Sequence, residues 1–416
     1  MARTDAIVLG AGIVGTSIAL QLAKRGLGVA LVDRRAPGEE TSYGNAGIIE
    51  GNTVFPPAFP ASIPALLRIA LKRAPEANYH LRRLPQAVPW LMAFWGASRP
   101  QRLVETARIM RPLFAHALPE HETLLADAGA TGYLRREGWL KLYRSDAAFA
   151  ALGPELELAQ EFGLACRKLD RDQARALEPD LAPVFRHAVH WPGAASVSNP
   201  LAVTKAYAAR LAKRGGVILT GNAGSLHRAD GRWRIDTAEG PLDAPEVVLA
   251  LGPFAPEILG PLGIRLPLGI KRGYHLHFRA SGHAALTRPI VDVENGYCLA
   301  PMEQGIRLTT GAEFAARAAP PTPVQLERLL PDARALFALA EPVEATPWMG
   351  CRPCFADSRP VIGRAPGHAG LWLDYGHGHW GLTLGPATGR LLAEMMTGAT
   401  PFCDPSPYGA ERFNKH

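Results

Sequence analysis

Cysteine is scarce in this chain. Five stand among 416 residues, Cys166, Cys298, Cys351, Cys354 and Cys403. A small, odd number argues against a disulfide scaffold and for a reducing compartment. No apolar run is long enough to cross a bilayer as a helix. No segment is of low complexity and no internal repeat is visible, although 42 glycines and 37 prolines imply many turns. The opening Met1-Ala2-Arg3-Thr4-Asp5 runs straight into an apolar strand pattern, so it reads as lacking a secretory signal. The expectation is a cytoplasmic protein.

An excess of one charge is also missing from most of the chain. The net charge is +7. Between Phe55 and Ala115 stand nine Lys/Arg (Arg68, Lys72, Arg73, Arg82, Arg83, Arg99, Arg102, Arg108, Arg111) against two acids, Glu76 and Glu105. That excess equals the whole net charge, so the remainder is balanced and a general nucleic-acid role is excluded. The same stretch carries apolar clusters at 63–71 and 88–95. Such a mixture suits an anionic lipid surface, such as the inner face of the cytoplasmic membrane, or a protein partner. Two ordinary helices with their arginines in water are the simpler alternative. With 47% hydrophobic residues, the chain can fill two cores, and its length suggests two or three domains.

The richest signal is Gly10-Ala11-Gly12-Ile13-Val14-Gly15. It lies between the apolar run Ala6-Ile7-Val8-Leu9 and a helical pattern, Thr16 to Arg25. A second apolar run, Val29-Ala30-Leu31-Val32, ends in Asp33. Strand, glycine turn, helix, strand and acid is the dinucleotide-binding order. Gly10 allows the tight turn, Gly12 the approach of a pyrophosphate, and Gly15 close helix–strand packing. The helix N-terminus offers N–H groups to phosphate, and Asp33 can accept hydrogen bonds from a ribose.

Further along, residues 53–130 read as helices broken by prolines. A strand pattern covers Trp139-Leu140-Lys141-Leu142-Tyr143. Helices are expected over 146–162, 170–176, 201–214 (capped by Ser198-Asn199-Pro200), 324–339 and 384–397. Strands are expected at 217–220, 233–237, 246–251, 271–278, 296–301, 306–310 and 371–374. A nicotinamide enzyme would complete its nucleotide fold in the first half. Here that fold is interrupted, and a second glycine-rich turn, Gly376-His377-Gly378-His379-Trp380-Gly381, comes only near the C-terminus. The interruption points to a flavin.

Four ordered patches resemble the D-amino acid oxidase/dehydrogenase family of flavoproteins over nearly the whole chain. They are the opening turn with Asp33; Thr41-Ser42-Tyr43-Gly44-Asn45-Ala46-Gly47, similar to the TSxANAG segment of bacterial D-amino acid dehydrogenases with Gly44 in place of alanine; Trp348-Met349-Gly350-Cys351-Arg352-Pro353 with Asp357 and Pro360-Val361-Ile362-Gly363; and 376–383, similar to a GHGxxGLT turn. The resemblance implies an α/β architecture: a Rossmann-like FAD-binding domain (1–52, 194–265, 344–416) interleaved with an α+β substrate domain (53–193, 266–343). Besides the first two patches, it puts Arg34, Val217, Ala250 and Gly252 beside the cofactor, with Gly378, Trp380, Gly381, Leu382 and Thr383 at the flavin ring. It matches Arg352 to the arginine that clamps the substrate carboxylate, a task for which a planar guanidinium is well shaped. Tyr297, Tyr274, His275 and His379 are further candidates for the substrate pocket.

The implied reaction is oxidative deamination of D-amino acids. A hydride would pass from Cα to flavin N5, giving a 2-oxo acid and ammonia, with electrons leaving to a quinone, the respiratory chain or oxygen. An enzyme of secondary amines (D-hydroxyproline, sarcosine or glycine type) and a non-catalytic flavin subunit are the alternatives; the presence of Arg352 argues against the last. FAD is expected to be noncovalent, because position 350, where related sarcosine oxidases attach their flavin, is glycine. Cys351-Arg352-Pro353-Cys354 has no second pair for zinc. His275 and His277 share a strand face without acids nearby, so no metal is expected.

Overall fold

The computed structural model describes residues 4–52, 55–60 and 62–413. Met1-Ala2-Arg3, residue 53 at the expected domain boundary, and 414–416 at the end of the expected flavin domain lie outside the described residues. Strand β1 (Ala6–Leu9), helix α1 (Ile13–Lys24) and strand β2 (Val29–Asp33) open the chain. Each residue of β1 is fully buried, as is usual for central strands of a parallel sheet covered on both faces.

Eight strands form the first sheet, in the order Gly240–Ala244, Arg232–Thr237, Val217–Ala229, β2, β1, Glu246–Leu249, Leu371–Tyr375, Val361–Arg364. The five in the middle are parallel to their neighbours, and the rest are antiparallel additions. Chain from the far C-terminal region thus completes a sheet begun at residue 6. One core cluster packs α1 and the helix Gly381–Thr397 against one face, through Ile18, Leu22, Leu384 and Leu391. Another fills the opposite face with Ile7, Leu9, Trp233 and Leu373.

The second sheet has eleven strands and is mostly antiparallel. Its spine is Leu268–Ala280, which pairs with Gly305–Thr309 along one edge and with Trp348–Phe355 along the other. Tyr297–Met302 lies next to Gly305–Thr309. One face buries Tyr274, Phe278 and Leu308 under the helix Val324–Leu336. The other face looks toward the nucleotide-type sheet. A small third sheet joins Ile48–Ile49, Ala195–Val197 and Leu134–Arg135.

Two sequence expectations need correction. The prolines do not break residues 100–128: a 29-residue helix, Pro100–Ala128, runs through Pro112 and Pro119. Each proline forfeits one helical hydrogen bond. Burial of Met110, Leu113, Phe114, Ala117, Leu124 and Leu125 on the same helix offsets that loss. Conversely, 146–162 is two helices, Asp146–Ala150 and Gly153–Glu161. No helix among the described residues is long and apolar enough to cross a membrane.

Candidate active site

A cavity of about 1260 Å³ lies between the two large sheets, at the C-terminal ends of the parallel strands. Open α/β sheets bind ligands at that end. The glycine turn after β1 forms one wall, and its three glycines are there for three different reasons. Gly10 has φ +105°, and a Cβ on it would meet the Ala250 carbonyl oxygen at 2.5 Å. A Cβ on Gly15 would meet the Gly10 oxygen at 1.9 Å, so this glycine sets how closely α1 packs on the strand. Gly12 is constrained by neither: its φ is −68°, and the only atom near a Cβ would be Ser42 Oγ at 3.2 Å. The chain keeps open the one position that borders the cavity and that a side chain could occupy. That is the behaviour of a cradle for a ligand backbone.

The surrounding polar groups match a dinucleotide. Asp33 Oδ2 accepts a hydrogen bond from the Ala11 N–H at 2.6 Å, which fixes the carboxylate at the tip of β2. Ser42 Oγ accepts from the Ile13 N–H at 2.9 Å, bringing the 41–47 loop onto the start of α1. Arg34 stacks over Phe254 at 4.2 Å, and Ala250 and Gly252 border the cavity from the next strand end. Val14, Thr41, Asn45 and Ala46 line it too. Thr41 donates to the Cys351 carbonyl at 2.9 Å and so ties this loop to the strand that carries Arg352. Gly47 packs against Val197 instead, where a Cβ would come within 2.4 Å of the carbonyl oxygen. Gly378, His379, Trp380, Gly381 and Leu382 form the opposite wall, at the start of the helix Gly381–Thr397. The positive end of that helix therefore faces the cavity. Thr383 lies just behind, donating to the Ile48 carbonyl at 3.0 Å. His121 supports the turn from beneath, with Nε2 donating to the Leu382 carbonyl at 2.6 Å. Cavity volume, open Gly12, fixed Asp33 and two helix starts fit a dinucleotide carrying a ring system.

One cofactor expectation fails. Val217 stands at the N-terminal end of its strand, 42% exposed, away from the cavity. The same strand runs on to Ala229, and Gly221, Asn222, Ala223 and Gly224 at its far side line the cavity instead. The identity of the strand was legible, and the end that matters follows from its direction in the parallel sheet.

The second sheet supplies the other wall of the cavity. Arg352 lies on Trp348–Phe355, directly across from Lys271. Its guanidinium rests flat on Gly273, where a Cβ would sit 2.3 Å from Nη2. Nη1 donates to the Gly311 carbonyl at 2.8 Å and Nη2 to the Thr310 carbonyl at 3.1 Å. Arg352 makes no ion pair with a described carboxylate. Asp357, the nearest acid in sequence, is taken by Arg359 and Arg412. An oriented guanidinium with donors to spare thus borders the cavity. His379 is exposed to the same space; the protein around it, with Arg352 and Lys271 close by, lowers its pKa and so favours the neutral ring.

Three further candidates are turned away from the cavity, the two tyrosines by strand alternation and His275 by the rings that cover it. Tyr297 and Tyr274 border the cavity, but their rings belong to the core under Val324–Leu336. The Tyr297 hydroxyl is directed to the Asp332 carbonyl at 3.4 Å. The Tyr274 hydroxyl is held by Glu313 and Arg272 at 2.6 and 2.7 Å. His275 is on the cavity-side face but is buried, stacked on Trp348 at 4.9 Å and packed against Tyr43. Burial and Arg307 lower its pKa to about 2. His277, next on that face, does meet an acid: Nδ1 bonds Glu344. Among the described residues, no group of three or more potential ligands is placed to hold a metal. Cys351 and Cys354 fall on opposite faces of their strand. Cys351 lies across from Arg272, whereas Cys354 borders the cavity and lies 3.6 Å from where a Gly378 Cβ would be.

Sequence reasoning missed Lys271, Gly273, Trp90 and Trp348. Gly273 carried a usable signal, since glycine inside a strand marks the close approach of another group. Trp348 explains Gly44: a Cβ there would lie 1.7 Å from the indole, and one on Gly350 2.1 Å from it. The alanine-to-glycine departure makes room for this ring.

Comparison with known proteins agrees with the geometry. The family described as FAD dependent oxidoreductase matches residues 5–395. The chain is 33% identical to a D-amino acid dehydrogenase of Cereibacter sphaeroides, covering 98% of this chain and 95% of that one. It is 29% identical to a D-amino-acid oxidase of Bradyrhizobium diazoefficiens over 98% of each. Among solved structures, glycine oxidase from Geobacillus kaustophilus superposes with a TM-score of 0.75 at 23% identity, covering 99% of both chains. Iminodiacetate oxidase from Chelativorans sp. BNC1 gives 0.74 at 23% identity, covering 97% of this chain and 98% of that one. The cradle at Gly12, the second helix start at Gly381 and the family match lead to one conclusion: the chain belongs to the FAD-dependent oxidoreductases of the D-amino acid oxidase fold.

Proposed function

We propose that this enzyme oxidises the Cα–N bond of D-amino acids and passes the electrons to an acceptor at a membrane surface. The observation that carries the reading is Arg352, a guanidinium fixed by two carbonyls, without a carboxylate partner, in the cavity that also holds the dinucleotide cradle. FAD, held by the 10–15 turn, Asp33, Ser42 and the 378–382 turn, supplies the two-electron acceptor when bound. The chain's own contribution is placement. Arg352 holds the substrate carboxylate through paired, charge-assisted hydrogen bonds. Neutral His379 presents no positive charge against which a substrate amine would have to be desolvated. The helix start at Gly381 favours negative charge developing nearby. The D preference rests on the names of the relatives that cover nearly the whole chain.

The membrane part of the proposal rests on residues 63–99. Ile63, Leu67, Leu71, Leu81, Met92 and Trp95 are all more than half exposed. Arg68, Arg73, Arg82, Arg83 and Arg99 are exposed among them. The helices Ile63–Ala70 and Leu84–Ala97 turn other residues, Leu66, Ile69, Leu91 and Phe94, toward the cavity. An apolar, basic surface on elements that roof the site suits an anionic bilayer carrying a lipid-soluble acceptor.

The deciding experiment is anaerobic mixing of the flavin-loaded protein with a panel of D- and L-amino acids, glycine and sarcosine while the flavin absorption is followed, and then admission of oxygen. Bleaching by D-amino acids, slow return in oxygen and fast return with a quinone are expected. Bleaching only by secondary amines or glycine would replace the substrate assignment, and fast return in oxygen would replace the acceptor.

A further inference from the structure

The mechanism just described does not use Lys271, yet Lys271 is unusual. It lies on the central strand of the second sheet, its side chain bordering the cavity, directly opposite Arg352 on the paired strand. Like charges at opposed positions of an antiparallel pair repel. Neither is neutralised: among the described residues, no carboxylate forms an ion pair with Lys271 or with Arg352. Burial and Arg352 both push the Lys271 pKa down. The protein does hold the ammonium in place, with Nζ 4.0 Å from the Phe94 ring centroid and 5.1 Å from that of Trp90. Cation–π contact orients such a group without neutralising it.

The two cations diverge. Arg352 folds over Gly273, two residues toward one end of the strand from Lys271. Lys271 leans on Trp90, whose indole covers Gly269, two residues toward the other end; a Cβ there would lie 2.4 Å from Trp90 Cε2. Trp90 is pinned in turn by its Nε1–H, which donates to the Cys354 carbonyl at 3.0 Å. The positive centres are therefore spread along one cavity wall, not gathered on one point. Two separated, unpaired cations in one substrate cavity match a ligand with two separated anions.

We propose that Lys271 binds a second carboxylate, on the substrate's side chain, and that the enzyme prefers acidic D-amino acids. This rests on Arg352 holding the α-carboxylate. The test measures kcat/KM for D-aspartate and D-glutamate against D-asparagine and D-glutamine, with the native enzyme, Lys271→Met and Lys271→Arg, all flavin-loaded. Alongside, the displacement of the flavin spectrum by succinate and by butyrate gives affinities that need no turnover. The native acid-to-amide ratio is expected at about 10 or above, falling toward one in Lys271→Met and partly restored in Lys271→Arg, since a charge-assisted contact is worth about that factor or more. Succinate should bind more tightly than butyrate, and that advantage should vanish in Lys271→Met. A native preference for the amides overturns the proposal. So does an equal fall for acids and amides, which would mean that Lys271 shares the carboxylate of Arg352. If no D-amino acid bleaches the flavin, the proposed function fails instead. The succinate-to-butyrate comparison then still decides whether Lys271 reads a second carboxylate.

Discussion

Arg352→Ala separates a substrate clamp from a structural arginine. The guanidinium gives one N–H to Gly311 and one to Thr310, leaving three of its five donors. If two of those hold the substrate carboxylate, the substitution removes a charge-assisted pair inside the cavity. The loss should be about 3 kcal/mol or more, on the order of 100-fold in kcat/KM. A separate cost falls on the fold, because the Thr310 and Gly311 carbonyls lose their donors. That costs about 1–2 kcal/mol and appears in thermal unfolding, not in turnover. Arg352→Lys should recover only part of the activity, since an ammonium cannot reproduce the planar fork. The assay compares a D-amino acid with the amine lacking its carboxylate, using variants matched for flavin content. For the amine, native and Arg352→Ala enzymes should differ little. A similar loss on both substrates would refute the clamp and leave Arg352 as a brace for the 309–312 turn.

Gly12→Val should fold yet lose its flavin, since the backbone angle at position 12 admits a side chain whose one near protein neighbour is the Ser42 hydroxyl at 3.2 Å, while a ligand in the cradle would collide with it; normal flavin loading would remove the cradle from the argument. In the native protein, acid precipitation should leave FAD in the supernatant, and yellow precipitate would show a covalent link. His121 is fully buried with its pKa lowered to about 4, so the unfolded chain binds its proton near pH 6.5 while the folded chain resists. Stability from this residue is complete above about pH 6.5 and lost as pH falls to about 4, at a cost of about 3 kcal/mol, which urea titrations should show in the native protein and not in a stably folded His121→Gln. The native enzyme should sediment with vesicles containing phosphatidylglycerol and not with purely zwitterionic ones, and Leu67→Glu with Met92→Glu should abolish this without loss of bound flavin; equal sedimentation of native and doubly substituted protein would end the membrane assignment.

How much of this was readable beforehand follows from the range of the signals. The first turn was legible because Gly10, Gly12, Gly15 and Asp33 act within one β-α-β unit, where short-range spacing dictates geometry. The motif singled out Arg352, and the structure places it on a strand that borders the cavity. Tyr274 and Tyr297 were not, although their strands were found. A strand's side chains alternate, and which alternate face meets the ligand is decided by what packs on the other side. Here the helix Val324–Leu336 takes the tyrosines and leaves Lys271, Gly273 and Cys298 toward the cavity. Val217 shows the same limit along the strand instead of across it. A short β-branched run announces a strand but not which of its ends meets the ligand; that depends on strand direction in the completed sheet.

Gly44 and Trp348 carry the point furthest. Read locally, Gly44 is a small departure from a familiar segment and Trp348 a large residue before the arginine motif. Together they are one feature. The indole occupies the space that a Cβ on Gly44 or Gly350 would need, stacks on His275 and meets Tyr43 edge-on at 5.6 Å. This cluster closes the end of the cavity wall beyond Gly273, on the side away from Lys271. His275, read as a substrate contact, is instead the floor beneath that ring, and its desolvated, neutral imidazole is suited to stacking. A residue pair so far apart in the chain has no local spacing rule. Only the second sheet, by placing 268–280 against 348–355, turns a glycine and a tryptophan into a boundary of the cavity.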